Sequence, residues 1–408
     1  MLMVTAPSMY LVDTRWTCHN FLVCKELRGI MVVTMFRTAL ISLFITSTAI
    51  AETWTVDDDG AADFDSIQAA IDAAQDGDEI VVMPGTYTGT GYNVIDPLSK
   101  LLWIHSSDGP ETTIIDGQAS RRGINCRAFE TAETIFEGLT ISGCYATEGK
   151  GNGSGMYCRN SSPTLINCMF KNNSSSNWGG GVYLEESGSL FVNCQFKDNY
   201  AERWGGAIFI DDSDIELANC TFEENSTDVS AGGILLQYST AAITNCSFTS
   251  NSAKANGGGL FCFFSNPVVM HCVFTSNYVG GEGGGVRCFN NSSPTLINCT
   301  FSNNTAYDTG GAMANNPDGV PLVSTSYFCS NTPTHIYGPW DDGGGNTMVD
   351  SCQYDCPDVT GDGFVNILDV LSVIDQWGLA DSPADTNNDG VVDVSDLFIV
   401  IGAWGSCE

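Results

Sequence analysis

The sequence predicts a mainly β fold: a parallel β-helix solenoid closed at one end by a helix, followed by a small α-helical domain. Three observations carry this. Side chains recur every 26 residues, glycine clusters precede short period-two strands, and the composition changes after residue 340.

The recurrence comes first. Cys168, Cys194, Cys220, Cys246 and Cys272 are 26 residues apart, and Cys299 follows after 27. Phe170, Phe196, Phe222, Phe248, Phe274, Phe301 and Phe328 keep the same register, each with an Asn three residues on, from Asn173 to Asn331. A second slot runs Cys158, Leu184, Ile210, Leu236, Cys262, Cys288, preceded by small clusters such as Gly179-Gly180-Gly181. So regular a period means a solenoid. Helical repeats need longer units and disfavour glycine triplets, whereas short alternating segments between Gly, Asn and Ser read as strands and turns. Stacked coils set each residue about 4.8 Å from its counterpart. Phe and Cys then form inner ladders, and Asn is expected at corners, where it tolerates left-handed backbone and can bond the Asn above it.

The chain carries seventeen cysteines. At ladder spacing their Cβ atoms stand too far apart for disulfides, so the inner column is expected to be mainly buried thiols. Charge is lopsided, with 48 acidic against 15 basic residues and no Lys or Arg after Arg287. Such a surface repels nucleic acid and anionic membrane and favours cations. From Met35, "MFRTALISLFITSTAIA" has the basic, apolar, small-x-small order of a secretory signal, with cleavage expected after Ala51. No later segment is long and apolar enough for a membrane-spanning helix. The chain is expected to be secreted, extracellular or associated with a cell surface.

The alternation seen in "GGAI" and "FKDN" resembles the repeats of polymorphic outer-membrane proteins and, more broadly, right-handed parallel β-helix proteins, a group that includes pectate lyases. Upstream, "DFDSIQAAIDAAQDGDEIVVMPGTYTG" looks like the opening of such β-helices. There Ile67, Ala70, Ile71 and Ala74 form one apolar helix face able to cap the open coil. The expected divisions are a leader and signal (1–51), cap and first coils (52–150), regular repeats (151–340), a linker (341–354) and a C-terminal module (355–408).

That module holds two matching units, "DVTGDGFVNILD" from Asp358 and "DTNNDGVVDVSD" from Asp385. Each has oxygen side chains at loop positions 1, 3, 5, 9 and 12 and glycine at 6, the spacing that wraps Ca2+. The expected ligands are Asp358, Thr360, Asp362, Asn366 and Asp369 with the Phe364 carbonyl. The second loop offers Asp385, Asn387, Asp389, Asp393 and Asp396 with the Val391 carbonyl. The tandem resembles a type I dockerin, which implies a cohesin domain as partner. Cys356 and Cys407 bracket the module and could clasp its ends.

An active site is harder to read. Glu185-Glu186 and Asp211-Asp212 fall in one slot of successive coils, with Asp214 close by, and Trp178 and Trp204 stack in the turn before them. Tryptophan faces for pyranose rings and paired acids for calcium or acid–base work would make a sugar site, with Arg203 the one nearby candidate base. The plainer reading is a solvated acidic face whose tryptophans cover the coil edge. Two functions follow: a secreted, calcium-binding β-helix that binds extracellular polysaccharide or a surface partner and is tethered by its tail, or a polysaccharide lyase or other carbohydrate-active enzyme acting on acidic glycans.

Overall fold

The computed structural model describes residues 51–146, 151–352, 357–362, 364–380, 382–386 and 390–406. The signal segment lies almost wholly outside them, as do Cys356 and Cys407. Residues 51–408 form one compact unit. Among the described residues, parallel strands stack into sheets of twelve, eleven, ten and six strands, and each strand pairs with the equivalent strand one coil away. The predicted parallel β-helix is the observed fold.

The ladders appear as expected. Phe170 through Phe328 stack face to face, with centroids 4.6 to 5.1 Å apart and rings within 7° of parallel. All seven are fully buried. Eleven of the described cysteines are free and buried, including all six of the inner column. Burial pushes the Cys194 thiol well up, as a small apolar filler requires.

Asparagine behaves differently from the expectation in one respect. The ladder residues Asn173 to Asn331 do not adopt left-handed backbone; the residue before each does, as at Asn172, Asp198 and Glu224. The ladder amide instead points inward. Asn225 Nδ2 donates to Phe196 O at 2.8 Å and to Asn251 Oδ1 at 2.9 Å, while its Oδ1 accepts from Asn199 N and Nδ2. The buried amide thereby satisfies a corner that strand pairing leaves open. Glycine serves close approach: a Cβ on Gly206 would sit 2.4 Å from the Gly232 carbonyl of the next coil.

Helix α1, Ile67–Ala73, caps the N-terminal end with Ile67, Ala70, Ile71 and Ala74 at most 2 % exposed. At the other end, the segment expected to be a linker adds strands to the solenoid. Asp341–Asp342 pairs with Leu322–Val323, and Thr347–Val349 with Tyr327–Cys329. A disulfide joins Cys329 to Cys352. Strands this short, embedded in Gly and Asp, leave no alternation to read. The C-terminal module contains α2, Ile367–Asp375, and α3, Val394–Gly402, each opened by a capping box (Asn366/Asp369 and Asp393/Asp396).

Candidate functional site: a cleft on the ten-stranded sheet

Side chains alternate along each strand of the ten-stranded sheet. Cys158 and its equivalents face the core, while Tyr157, Tyr183 and Phe209 form a second, outward cluster. Tyr157 stacks on Tyr183 at 5.1 Å and Tyr183 on Phe209 at 5.5 Å. Trp178 lies against Phe209 at 5.1 Å and stacks on Trp204 at 5.7 Å, so the predicted tryptophan pair forms.

Tyr157, Tyr183 and Trp178 form one wall of a cavity of about 590 Å³, lined also by Tyr92, Asn125, Arg122, Arg127, Arg159, Glu185 and Asp211. Arg122 and Arg127 both hold their guanidinium over the Tyr157 ring, at 4.9 and 5.4 Å. Arg122 is buried and anchored, donating to the carbonyls of Gly153 and Asn152. Arg159 reaches Glu185 at 3.4 Å, and the Tyr183 hydroxyl donates to the other oxygen of that carboxylate. Two buried polar atoms in the lining have no partner: Asn125 Oδ1, an acceptor, and Trp178 Nε1, a donor. Both are sealed from solvent, behind the cleft surface.

Protonation follows the packing. Burial first, then Glu185 and Asp212, push the Asp211 carboxyl up against the hydrogen bond from Gln237. Burial and Glu185 also raise the Tyr183 hydroxyl. Glu185 holds the Arg159 guanidinium firmly protonated. The cleft can therefore grip an anionic group and stack a ring.

The predicted acids do share a slot: Glu185 pairs in register with Asp211, and all four of Glu185, Glu186, Asp211 and Asp212 border one hollow. Asp214 begins the next strand and accepts from Thr240. Arg203 is exposed and stays outside the lining; its backbone bonds Asn177, Thr227 and Ser230. Trp204 stacks beneath Trp178 without lining the cavity. Arg122 and Arg127 gave no signal because they precede the regular repeats, whereas Arg159, Tyr157 and Tyr183 lie within those repeats as ordinary strand positions. Cys126 pairs with Cys158 across 32 residues, so the period does not reach Arg122 and Arg127.

In the C-terminal module the first loop gathers its expected ligands. Asp358 Oδ1 and Asp369 Oδ1 both accept from the Thr360 hydroxyl, and Asn366 Nδ2 contacts Asp362 and the Phe364 carbonyl. In the second, Asp396 accepts from Thr386 and from Asp393 N, and Asp385 from Gly390 N. Val391 is exposed between them. Asn387 and Asp389 lie outside the described residues. Asp369 and Asp396 are fully buried, in a module whose sequence holds no Lys or Arg. Fully buried carboxylates in such a setting fit a bound cation.

Residues 93–226 and 205–334 match the family model described as "Right handed beta helix region". No curated protein matches the chain. Among solved structures it is similar to a pectin methylesterase from carrot (13% identity, 75% of this chain and 90% of that one, TM-score 0.32). It is also similar to pectate lyase Pel9A (14%, 78% and 83%, 0.44) and to a rhamnogalacturonan lyase (11%, 74% and 86%, 0.37). At these levels the functional reading rests on the residues of the cleft itself.

Proposed function

This chain belongs to the right-handed β-helix family, and from that premise we propose that it is a secreted scaffold that binds an acidic extracellular polysaccharide. Its C-terminal module would bind calcium and tether it to a cohesin-like partner. One observation carries the binding reading. In a chain of net charge −33, Arg122, Arg127 and Arg159 line a single aromatic-walled cleft. Arginine suits bidentate contact with a carboxylate, and the rings suit the apolar faces of sugars.

The lyase reading needs a base able to lose its proton. Arg159 is poorly suited, because Glu185 favours its charged form; Arg122 spends its donors on the Gly153 and Asn152 carbonyls and Asn93 Oδ1, and Arg127 has its guanidinium over the Tyr157 ring, which favours the cation. Binding without cleavage is the better-supported reading. Calcium in the paired loops would supply a cation that cross-links each loop to its helix, with Asp358, Thr360, Asp362, Asn366 and Asp369 holding it in the first.

The test is a glycan panel of acidic and neutral polysaccharides, paired with an absorbance assay for unsaturated products. Binding of acidic members, lost in Arg127→Gln/Arg159→Gln and unaccompanied by product, is expected. Accumulating unsaturated product would favour the lyase, and binding confined to neutral members would overturn the role given to the arginines.

A further inference from the structure

Beyond the cleft, the outer face of the same sheet carries a column graded in charge. Arg159, Glu185, Asp211, Gln237, Phe263 and Phe289 are successive register partners. Arg127 directly follows Cys126, the partner of Cys158, and so stands at the column's cationic end. Two positive rungs lead into two negative ones, then an amide, then aromatic rings.

The adjoining position is a left-handed turn on six successive coils. Asn160, Glu186, Asp212, Tyr238, Phe264 and Asn290 all have φ between 43° and 52°. Asn suits that backbone, whereas bulky residues there are true outliers. Tyr238 and Phe264 take it even though they remain 55% and 37% exposed. They stack on one another at 5.0 Å and 14°, forming a flat open platform. Strain kept at exposed aromatic positions points to a ligand.

The platform is continuous with the cleft. The hollow lined by Glu185, Glu186, Asp211, Asp212, Gln237 and Tyr238 shares Glu185 and Asp211 with the arginine cavity. Resting on the reading that the cleft holds an acidic sugar, we propose that the groove runs along the solenoid axis and selects a polysaccharide of mixed charge. An acidic residue sits at Arg127 and Arg159, neutral sugars cross the carboxylates, and further neutral sugars stack on Tyr238 and Phe264.

Spacing and charge both support this. The rungs repeat at about 4.8 Å, close to the length of one pyranose in an extended chain. A homopolymer of uronates would bring carboxylates onto the rungs of Glu185 and Asp211, where like charges repel. Neutral sugars instead bring hydroxyl donors to those oxygens and C–H faces to the rings. From Arg159 to Phe264 the column covers five rungs, room for five sugars.

Calorimetry on the full chain in calcium-saturated buffer tests the proposal. The probes are aldobiouronate, aldopentauronate (one glucuronate on four xyloses), xylopentaose and pentagalacturonate. Aldopentauronate should bind more tightly than either other pentamer. Tyr238→Asn/Phe264→Asn should weaken it about tenfold and leave aldobiouronate unchanged. Asn is the residue already found at 160 and 290, so the variant should melt no lower than wild type. Equal aldopentauronate affinity in the variant, or tighter pentagalacturonate binding by wild type, would overturn the groove while leaving the cleft intact. Failure of wild type to bind aldobiouronate would remove the arginine site, and the groove with it.

Discussion

Replacing one ladder amide, Asn225→Ala, should be far more damaging than its single side chain suggests. The Asn225 amide makes four hydrogen bonds, to Phe196 O and Asn251 Oδ1 and from Asn199 N and Nδ2. All lie in fully buried surroundings. At about 1 kcal/mol net per bond the loss is about 4 kcal/mol, and the partners left buried without water push it higher. The control is Asn245→Gly. Asn245 sits in left-handed backbone (φ 54°) and makes one exposed bond to Asn219, so its replacement should stay within about 0.5 kcal/mol. Urea titration followed by tryptophan fluorescence compares the two, with hydrogen exchange locating the lost protection near residues 196–251. If Asn225→Ala costs about 1 kcal/mol or less, or no more than Asn245→Gly, the amide column is not what holds the corner.

Three further outcomes follow from the same structure. Burial raises the Asp211 carboxyl above its unfolded value, so the folded state holds that proton longer. Stability should then fall as pH climbs from the ordinary carboxylate range through the raised value, and Asp211→Asn should flatten the slope of the urea midpoint against pH. Calcium should stabilise α2 and α3 by about 2.7 kcal/mol at a hundredfold excess over Kd, and so raise their melting temperature. Asp369→Ala or a chelator should remove that gain, and far-UV circular dichroism reports it. The eleven free buried thiols should resist alkylation in the native protein and react in guanidinium, with peptide mapping to identify each.

Much of the solenoid was legible because every coil repeats the same burial problem. Phe222 and Cys220 recur at a fixed interval since each lies over its counterpart, and the apolar face of α1 stands out beside them. What the period hid was which neighbour carries the backbone strain. At Asp198-Asn199 the left-handed turn belongs to the first residue and the buried amide to the second. The acid pair Glu185 and Asp211 was readable from register, because the strand repeats there without insertion. Arg122 and Arg127 were not, since their coil is longer and the spacing to its successor departs from the repeat. Arg203 misled by sequence proximity to Trp204: it lies in a turn, exposed, its backbone bonded to neighbouring coils. Tyr238 and Phe264 gave no signal as a pair, because an aromatic residue in a strand-rich repeat reads as core until the backbone shows which way the turn runs.

The most direct test is calorimetric titration of aldobiouronate into wild type and into Arg127→Gln/Arg159→Gln. Removing two charge-assisted hydrogen bonds, each worth about 1.5–3 kcal/mol, should weaken binding at least about a hundredfold, with the fold kept as judged by circular dichroism. Equal affinity in the two proteins would mean that the arginine cleft is not where the saccharide binds.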